Sequence, residues 1–220
     1  MSSGSAQPKR QYDARRRRER AAEERRATST RVLEAATRLF VAKGYTATTM
    51  ADIAREAGVA MQSVYTAGRS KVDLLSAAVE RAVAGDDQEV MVHDRPGVTL
   101  LAEETDPIRQ MEMLAAFTRD IQERSEPMQV AYREAAAGDA KVAAAVEAAH
   151  RRRRETVGVV IRALPADRLR HSPEECADTM WAIASTETLQ LLRTVLGWSW
   201  PEVQAWLART FQDVLLKPAQ

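Results

Sequence analysis

Apolar residues in this chain recur at intervals of three and four, and no stretch alternates convincingly between apolar and polar. The first pattern lays apolar side chains along one face of an α-helix; the second is what a half-buried strand needs. The clearest run is Val203, Trp206, Leu207, Phe211, Val214 and Leu215. Val32, Leu33, Ala36, Leu39 and Phe40 repeat the pattern near the other end. Only 9 glycines and 8 prolines interrupt 220 residues. Alanine, leucine, arginine and glutamate are plentiful, and these lose little rotamer freedom in a helix. The expected fold class is all-α, and 45% apolar residues suffice for a sizeable core.

Local start and stop signals divide the chain. Residues 1–12 read as a disordered tail. Residues 13–27, DARRRRERAAEERRA, have no apolar face beyond alanine, so they form either a solvated helix or an arm that orders on a partner. We take 1–27 as a basic, disordered arm, 28–75 as a small head and 76–220 as a helical body. Gly44 stops the first amphipathic helix. Thr49 with Asp52 reads as a capping box for a helix over Met50–Ala57. Gly58 ends that helix, Val59 turns the chain, and a short helix spans Ala60–Ala67. Ser70 with Asp73 then starts a long helix that runs from head into body. Residues 85–105 read as loop. Further helices are expected at 106–124, 127–137 after a break near Pro127, 140–164, and from 173 to about Gly197. The start at Ser172-Pro173-Glu174-Glu175 is the strongest in the chain. Ser199-Trp200-Pro201-Glu202 starts the last helix.

The net charge of +1 hides a split. Residues 1–75 carry 15 Lys+Arg against 8 Asp+Glu, and residues 76–220 carry 17 against 23. A basic head on an acidic body suits a head that meets a polyanion. The run Arg15–Arg18 would add phosphate contacts wherever it came near DNA. A second run, Arg151–Arg154, points all round its helix and reads as a solvated face. The single cysteine, Cys176, allows no intrachain disulfide, and no apolar run is long enough for a membrane span. The N-terminus lacks the apolar core of a signal peptide, so a soluble cytoplasmic protein with no membrane partner is expected.

The informative stretch is Thr48 to Leu75, TTMADIAREAGVAMQSVYTAGRSKVDLL. A helix-turn-helix needs a small residue where its two helices touch, and Ala54 is small. It needs a residue free to take positive φ at the turn, and Gly58 is a glycine. It needs an apolar plug after the turn, which Val59 supplies. The second helix must offer short side chains to base edges; Met61, Gln62, Ser63 and Thr66 can do so. Gln62 can bond adenine at two atoms, and Met61 can touch a thymine methyl.

This pattern, TTM-x-x-IA-x-x-AGV followed by a short helix with an internal tyrosine and then K-x-x-L, resembles the TetR family of bacterial repressors. The resemblance covers roughly residues 30–75; the last helices, Leu189 to Leu207, are also similar. It implies a fold of about nine helices, with the recognition helix at Ala60–Ala67. It implies phosphate contacts from Tyr65 and Lys71, with the Thr48-Thr49 cap region near the DNA backbone. The sequence departs from the family at Ala60, where serine is usual, and at Ala67-Gly68, where His-Phe is usual. The expected partner is double-stranded operator DNA, bound by Thr48, Thr49, Met61, Gln62, Ser63, Tyr65, Thr66 and Lys71, with Arg15, Arg16, Arg17 and Arg18 from the arm.

The body is expected to bind a small apolar or aromatic effector in a cavity lined by Met111, Leu114, Phe117, Met128, Tyr132, Trp181 and Ser185. The last two helices carry more apolar residues than one core-facing stripe needs. Leu189, Leu192, Leu196, Trp206, Phe211 and Val214 are therefore expected at a homodimer interface. His93, His150, His171 and Cys176 show no ligand spacing, so no metal or cofactor is expected. No Ser/His/Asp set, phosphate-cradling glycine loop or carboxylate pair emerges, and no catalytic residue is expected. The function so reached is a ligand-released repressor. The alternatives are a helical ligand-binding bundle or enzyme with no DNA role, or a DNA-binding protein whose body serves only to dimerise.

Overall fold

The computed structural model describes residues 6–85 and 96–218, with side chains from 15 to 85 and from 97 to 218. The chain divides into two compact units, Met1–Ala78 and Val79–Gln220.

The first unit is built on α1 (Ala6–Lys43), α2 (Met50–Ala57), α3 (Met61–Gly68) and the start of α4 (Lys71–Ala84). The capping box at Thr49 forms. Its hydroxyl accepts from the Asp52 N–H, and the Asp52 carboxylate accepts from the Thr49 N–H. Gly58 ends α2 at φ 63°, a left-handed conformation that costs other residues dearly. Helix α1 packs on α2 and α3, and Val32, Ala36, Phe40, Ile53, Ala57, Val64, Leu74 and Leu75 are all buried. Ala54, the small residue expected where the helices touch, is buried.

Residues 6–27, expected as a disordered arm, are instead the N-terminal part of α1. Alanine and straight-chain residues favour helix there, and Arg15–Glu19 (2.7 Å) and Arg20–Glu24 (3.2 Å) are paired one turn apart. Residues 1–5 lie outside the described residues.

In the second unit, α6 (Pro107–Ala136) packs along α10 (Trp200–Leu215) and beside α7 (Ala140–Arg162). Helix α8 (Pro173–Ile183) packs on α7, and α5 (Pro96–Glu103) on α6. Met111, Leu114, Ile161, Cys176, Leu207 and Phe211 fill the centre of the core. The capping boxes expected at Ser172/Glu175 and Ser199/Glu202 both form. A single bridge, Leu169 to Leu216, ties down the C-terminal end, and no longer strand occurs among the described residues. No helix among the described residues is long and apolar enough to cross a membrane.

Three boundaries differ from expectation. Within the expected 85–105 loop, Pro96–Glu103 is helical, as α5. Helix α6 runs through Pro127 without the expected break. Proline costs one backbone bond, but Ser125, Met128, Ala131 and Tyr132 are buried on either side, and that packing holds the helix together. The helix expected from 173 to about 197 breaks at Ala184-Ser185. Ser185 caps α9 (Thr186–Gln190), and a π-helical turn, Leu191–Val195, follows. The break is held from elsewhere: Arg153 of α7 donates to the carbonyls of Trp181 and Ala184, and Gln122 of α6 also donates to Ala184. Arg153 is thus no solvated residue. It lies over the Trp181 ring, and burial pushes its guanidinium down to about 10. Its neighbours in the run are paired as well, Arg152 with Glu80 (2.8 Å) and Arg154 with Asp178 (2.7 Å).

Gly68 explains one departure from the resembled family. A Cβ at this position would land inside the Leu74 side chain, which lies where an aromatic at 68 would otherwise reach. Gly68→Ala should therefore destabilise the head by about 1–3 kcal/mol, the range for overpacking a filled core. Urea unfolding followed by circular dichroism measures it, and an unchanged midpoint contradicts the packing role.

Candidate functional site

Helix α3 presents two unlike faces. Val64 is fully buried, and Gly68 is buried beneath Leu74. Met61 is 40% exposed and Tyr65 47%, with Gln62 and Thr66 exposed beside them and Ser63 half-buried. Tyr65 is therefore a surface residue and not part of the core. The Thr66 hydroxyl donates to its own helix, at Gln62 O (2.9 Å), which leaves its methyl and lone pairs outward. The N-terminus of α3 has no side-chain cap, because Ala60 stands there. In its first turn the Ser63 N–H bonds Ala60 O (2.9 Å).

The region before α2 is electrostatically set. Asp52 accepts from Lys43 (2.9 Å), from Thr49 and from Arg55. The Lys43 ammonium does most to hold the carboxyl well below the usual carboxylate range, with the Thr49 donors next. Arg38 pairs with Glu56 (3.0 Å). Exposed Arg69 follows α3 at φ 48°, a conformation uncommon outside glycine. Sequence reasoning passes over Lys43, Arg55 and Arg69, whose one signal is their charge.

Two of the residues expected to contact DNA have partners within the chain. Thr48 is fully buried, and its hydroxyl donates to Gly44 O (2.8 Å), so it closes the turn after α1. Lys71 turns inward. Its ammonium donates to Tyr45 O (2.9 Å) and Thr48 O (3.0 Å) and lies 4.0 Å from the centre of the Tyr45 ring. Thr49 is exposed and stays at the surface as the α2 cap. Arg15, Arg16, Arg17 and Arg18 are exposed on α1.

Residues 32–78 match the family model described as bacterial regulatory proteins, tetR family. Over these residues the chain is similar to the tetR family. Its fold agrees with solved structures across most of its length. A protein assigned to the TetR family from Mesorhizobium loti has 20% identity over 88% of this chain and 98% of its own, with a TM-score of 0.68. The SmeT–triclosan complex has 18% identity over 88% and 93%, TM-score 0.65. NalD, the secondary repressor of the MexAB-OprM multidrug efflux pump in Pseudomonas aeruginosa, has 19% identity over 90% and 100%, TM-score 0.62. No curated protein matches the chain in sequence. The matched residues contain the whole helix-turn-helix.

In the body, the residues expected to line a cavity lie in the core or against it. Met111 and Leu114 are buried in the core, Met128 and Tyr132 are buried, and Phe117 and Trp181 pack against the core from its edge. Ser185 spends its hydroxyl on the α9 cap, bonding Thr188 (3.0 Å), and is not free to orient a ligand. A cavity of ≈ 270 Å³ opens elsewhere, between Arg133 of α6 and Glu187, Gln190, Leu191 and Thr194. The expected dimer set also divides. Leu189 and Phe211 are buried in the chain's own core. Leu192, Trp206 and Val214 are half-buried against it. Leu196 is 59% exposed, and beside it in sequence stand Leu191 at 61% and Val195 at 71%. The three lie on and just after the π turn. His93 lies outside the described residues.

The Asp52 arrangement carries a pH signature. A carboxyl depressed on folding stabilises the head above its unfolded pKa of about 3.9, and that contribution is lost as pH falls through the folded value. Asp52→Asn should flatten the acid side of the stability profile below about pH 4 while also costing stability at pH 7. Thermal melts at pH 2.5, 4 and 7 check this; parallel profiles for both proteins contradict it.

Proposed function

We propose that this regulator is a repressor that binds operator DNA as a homodimer and leaves it when a small ligand binds the body. The observation that carries the DNA reading is α3: buried Val64 anchors it, while Met61, Gln62, Tyr65 and Thr66 stand together on its exposed side. Gln62 and Met61 read base edges, Ser63 and Thr66 flank them, and Tyr65 and the Thr49 cap meet phosphates. Lys71 acts from beneath: it pins the Tyr45–Thr48 link from which Thr49 and α2 start. Arg17 and Arg18, which have no ion pair among the described residues, add charge along the exposed helix with Arg15 and Arg16.

The dimer forms on the exposed apolar patch Leu191, Val195 and Leu196, with Trp206 and Val214 at its edge. The effector is apolar or aromatic. SmeT is seen with triclosan, an instance of such a ligand on a similar fold. In this chain Phe117 and Trp181 form the entrance, and the ligand enters by displacing packed side chains such as Met111 and Met128, whose unbranched thioethers adapt readily. Such a ligand weakens operator binding only by favouring a body conformation that DNA disfavours. Helix α4 contributes residues to both units and transmits the change.

A gel shift against DNA upstream of the regulator's own gene tests the reading at two salt concentrations. Gln62→Ala should cost about 1–3 kcal/mol at one base pair and relax preference there. Arg17→Ala and Arg18→Ala should leave preference intact and each lower the salt slope by about 0.9. If Gln62→Ala changes neither affinity nor preference, α3 is not the reading helix.

Val195→Asp with Leu196→Asp should turn the dimer into a monomer at micromolar concentration by light scattering, with the helical content kept. A dimer that survives both substitutions places the interface elsewhere.

A further inference from the structure

The ≈ 270 Å³ cavity between α6 and the α9–π segment holds chemistry that the apolar effector does not use. Arg133 lines it, and the Arg133 Nε–H is buried without a hydrogen-bond partner among the described residues. A buried unmade donor of this kind costs about 1–3 kcal/mol, more when charged, and asks for an acceptor. Another N–H of the same guanidinium donates to Gln190 Oε1. That leaves the Gln190 amide N–H groups as further donors. The nearest counter-charge is Glu187, whose carboxylate stands 3.9 Å from Arg133 Nη1, at the outer limit of an ion pair. The Glu187 side chain is 48% exposed, so its carboxylate also remains open to a cation. The Thr194 hydroxyl donates to Gln190 O (2.6 Å) and keeps its lone pairs. Leu191 supplies an apolar wall. The wall is the π turn, a rare geometry found often where helices bind something.

The donors and acceptors select one class of ligand. A bare anion would meet Glu187, and a bare cation would meet Arg133. The volume lies below the range of about 300–1,000 Å³ usual for drug-sized ligands. A free α-amino acid offers a carboxylate, an ammonium and one side chain from a single carbon, within a small volume. We propose that this cavity binds a small aliphatic α-amino acid, its carboxylate on Arg133 Nε and Gln190, its ammonium on Glu187 and its side chain against Leu191. The site adjoins the exposed Leu191–Leu196 patch, so occupancy also alters the surface on which the dimer is proposed to form.

Titration calorimetry on the full chain tests this with L-alanine, L-valine and L-leucine, each alone. Saturable binding of at least one is expected. For the amino acid that binds, the N-acetyl form lacks the ammonium and the methyl ester lacks the carboxylate. Each should bind about tenfold more weakly or worse, the size of one lost charge-assisted hydrogen bond. Arg133→Gln should abolish binding. Glu187→Gln, at a half-exposed position, should weaken it by a similar tenfold with an unchanged melting temperature. No binding by any of the three amino acids overturns the proposal. So does an N-acetyl form or ester that binds as well as its parent, or unchanged affinity in Glu187→Gln. Operator binding is read separately by gel shift, so a silent cavity leaves the repressor reading standing.

Discussion

The Lys71 ammonium donates to the carbonyls of Tyr45 and Thr48 and lies over the Tyr45 ring. Those two carbonyls belong to the link between α1 and α2, while Lys71 opens α4. One cation therefore joins three helices through a short irregular stretch. Buried Thr48 completes the turn by bonding Gly44, and Thr49 can then cap α2. The orientation of α2, the placement of Gly58 and the exposure of the α3 face all follow from where this link is held. Charge serves here as a structural pin, and the charge-assisted bonds it makes are the stronger kind.

A second buried cation does the same work in the body. Arg153 satisfies carbonyls left open where α8 ends, and Gln122 shares the Ala184 carbonyl with it. Cations are favoured at a helix C-terminus by the macrodipole, and this one is also desolvated against Trp181. The break it stabilises turns the chain into α9 and the π turn, which expose Leu191, Val195 and Leu196 and shape the Arg133 cavity. Both the proposed dimer patch and the proposed amino-acid site thus rest on an interruption that a continuous helix would have erased.

The burial of Met111 and Leu114 bears on how the proposed apolar effector would enter. Protein interiors are close-packed, so a ligand that enters there must move side chains rather than occupy a void. That requirement ties ligand binding to conformational change, which is what a switch needs. The hydroxyl of Ser125, on α6 within the same unit, is buried without a hydrogen-bond partner among the described residues.

The features legible in the sequence are the local ones. The boxes at Thr49/Asp52, Ser172/Glu175 and Ser199/Glu202 and the glycine at 58 act over three or four residues, so their neighbours in sequence suffice to predict them. The 3.6-residue period determines the all-α class, and residues 48–75 determine the helix-turn-helix. Only the tertiary structure decides the rest, because the partners lie far apart along the chain. Lys71 has the sequence position of a phosphate ligand, yet two carbonyls 26 and 23 residues back claim it. Arg153 sits in a run of charge that suggests a solvated face, yet Ala184, 31 residues on, holds it inside. Pro127 suggests a break, and Leu189 and Phe211 suggest an interface; α6 is continuous, and both apolar residues lie in the core. The reason is the same in each case. Burial is a property of the packed whole, and periodicity tells which face is apolar but not what covers it.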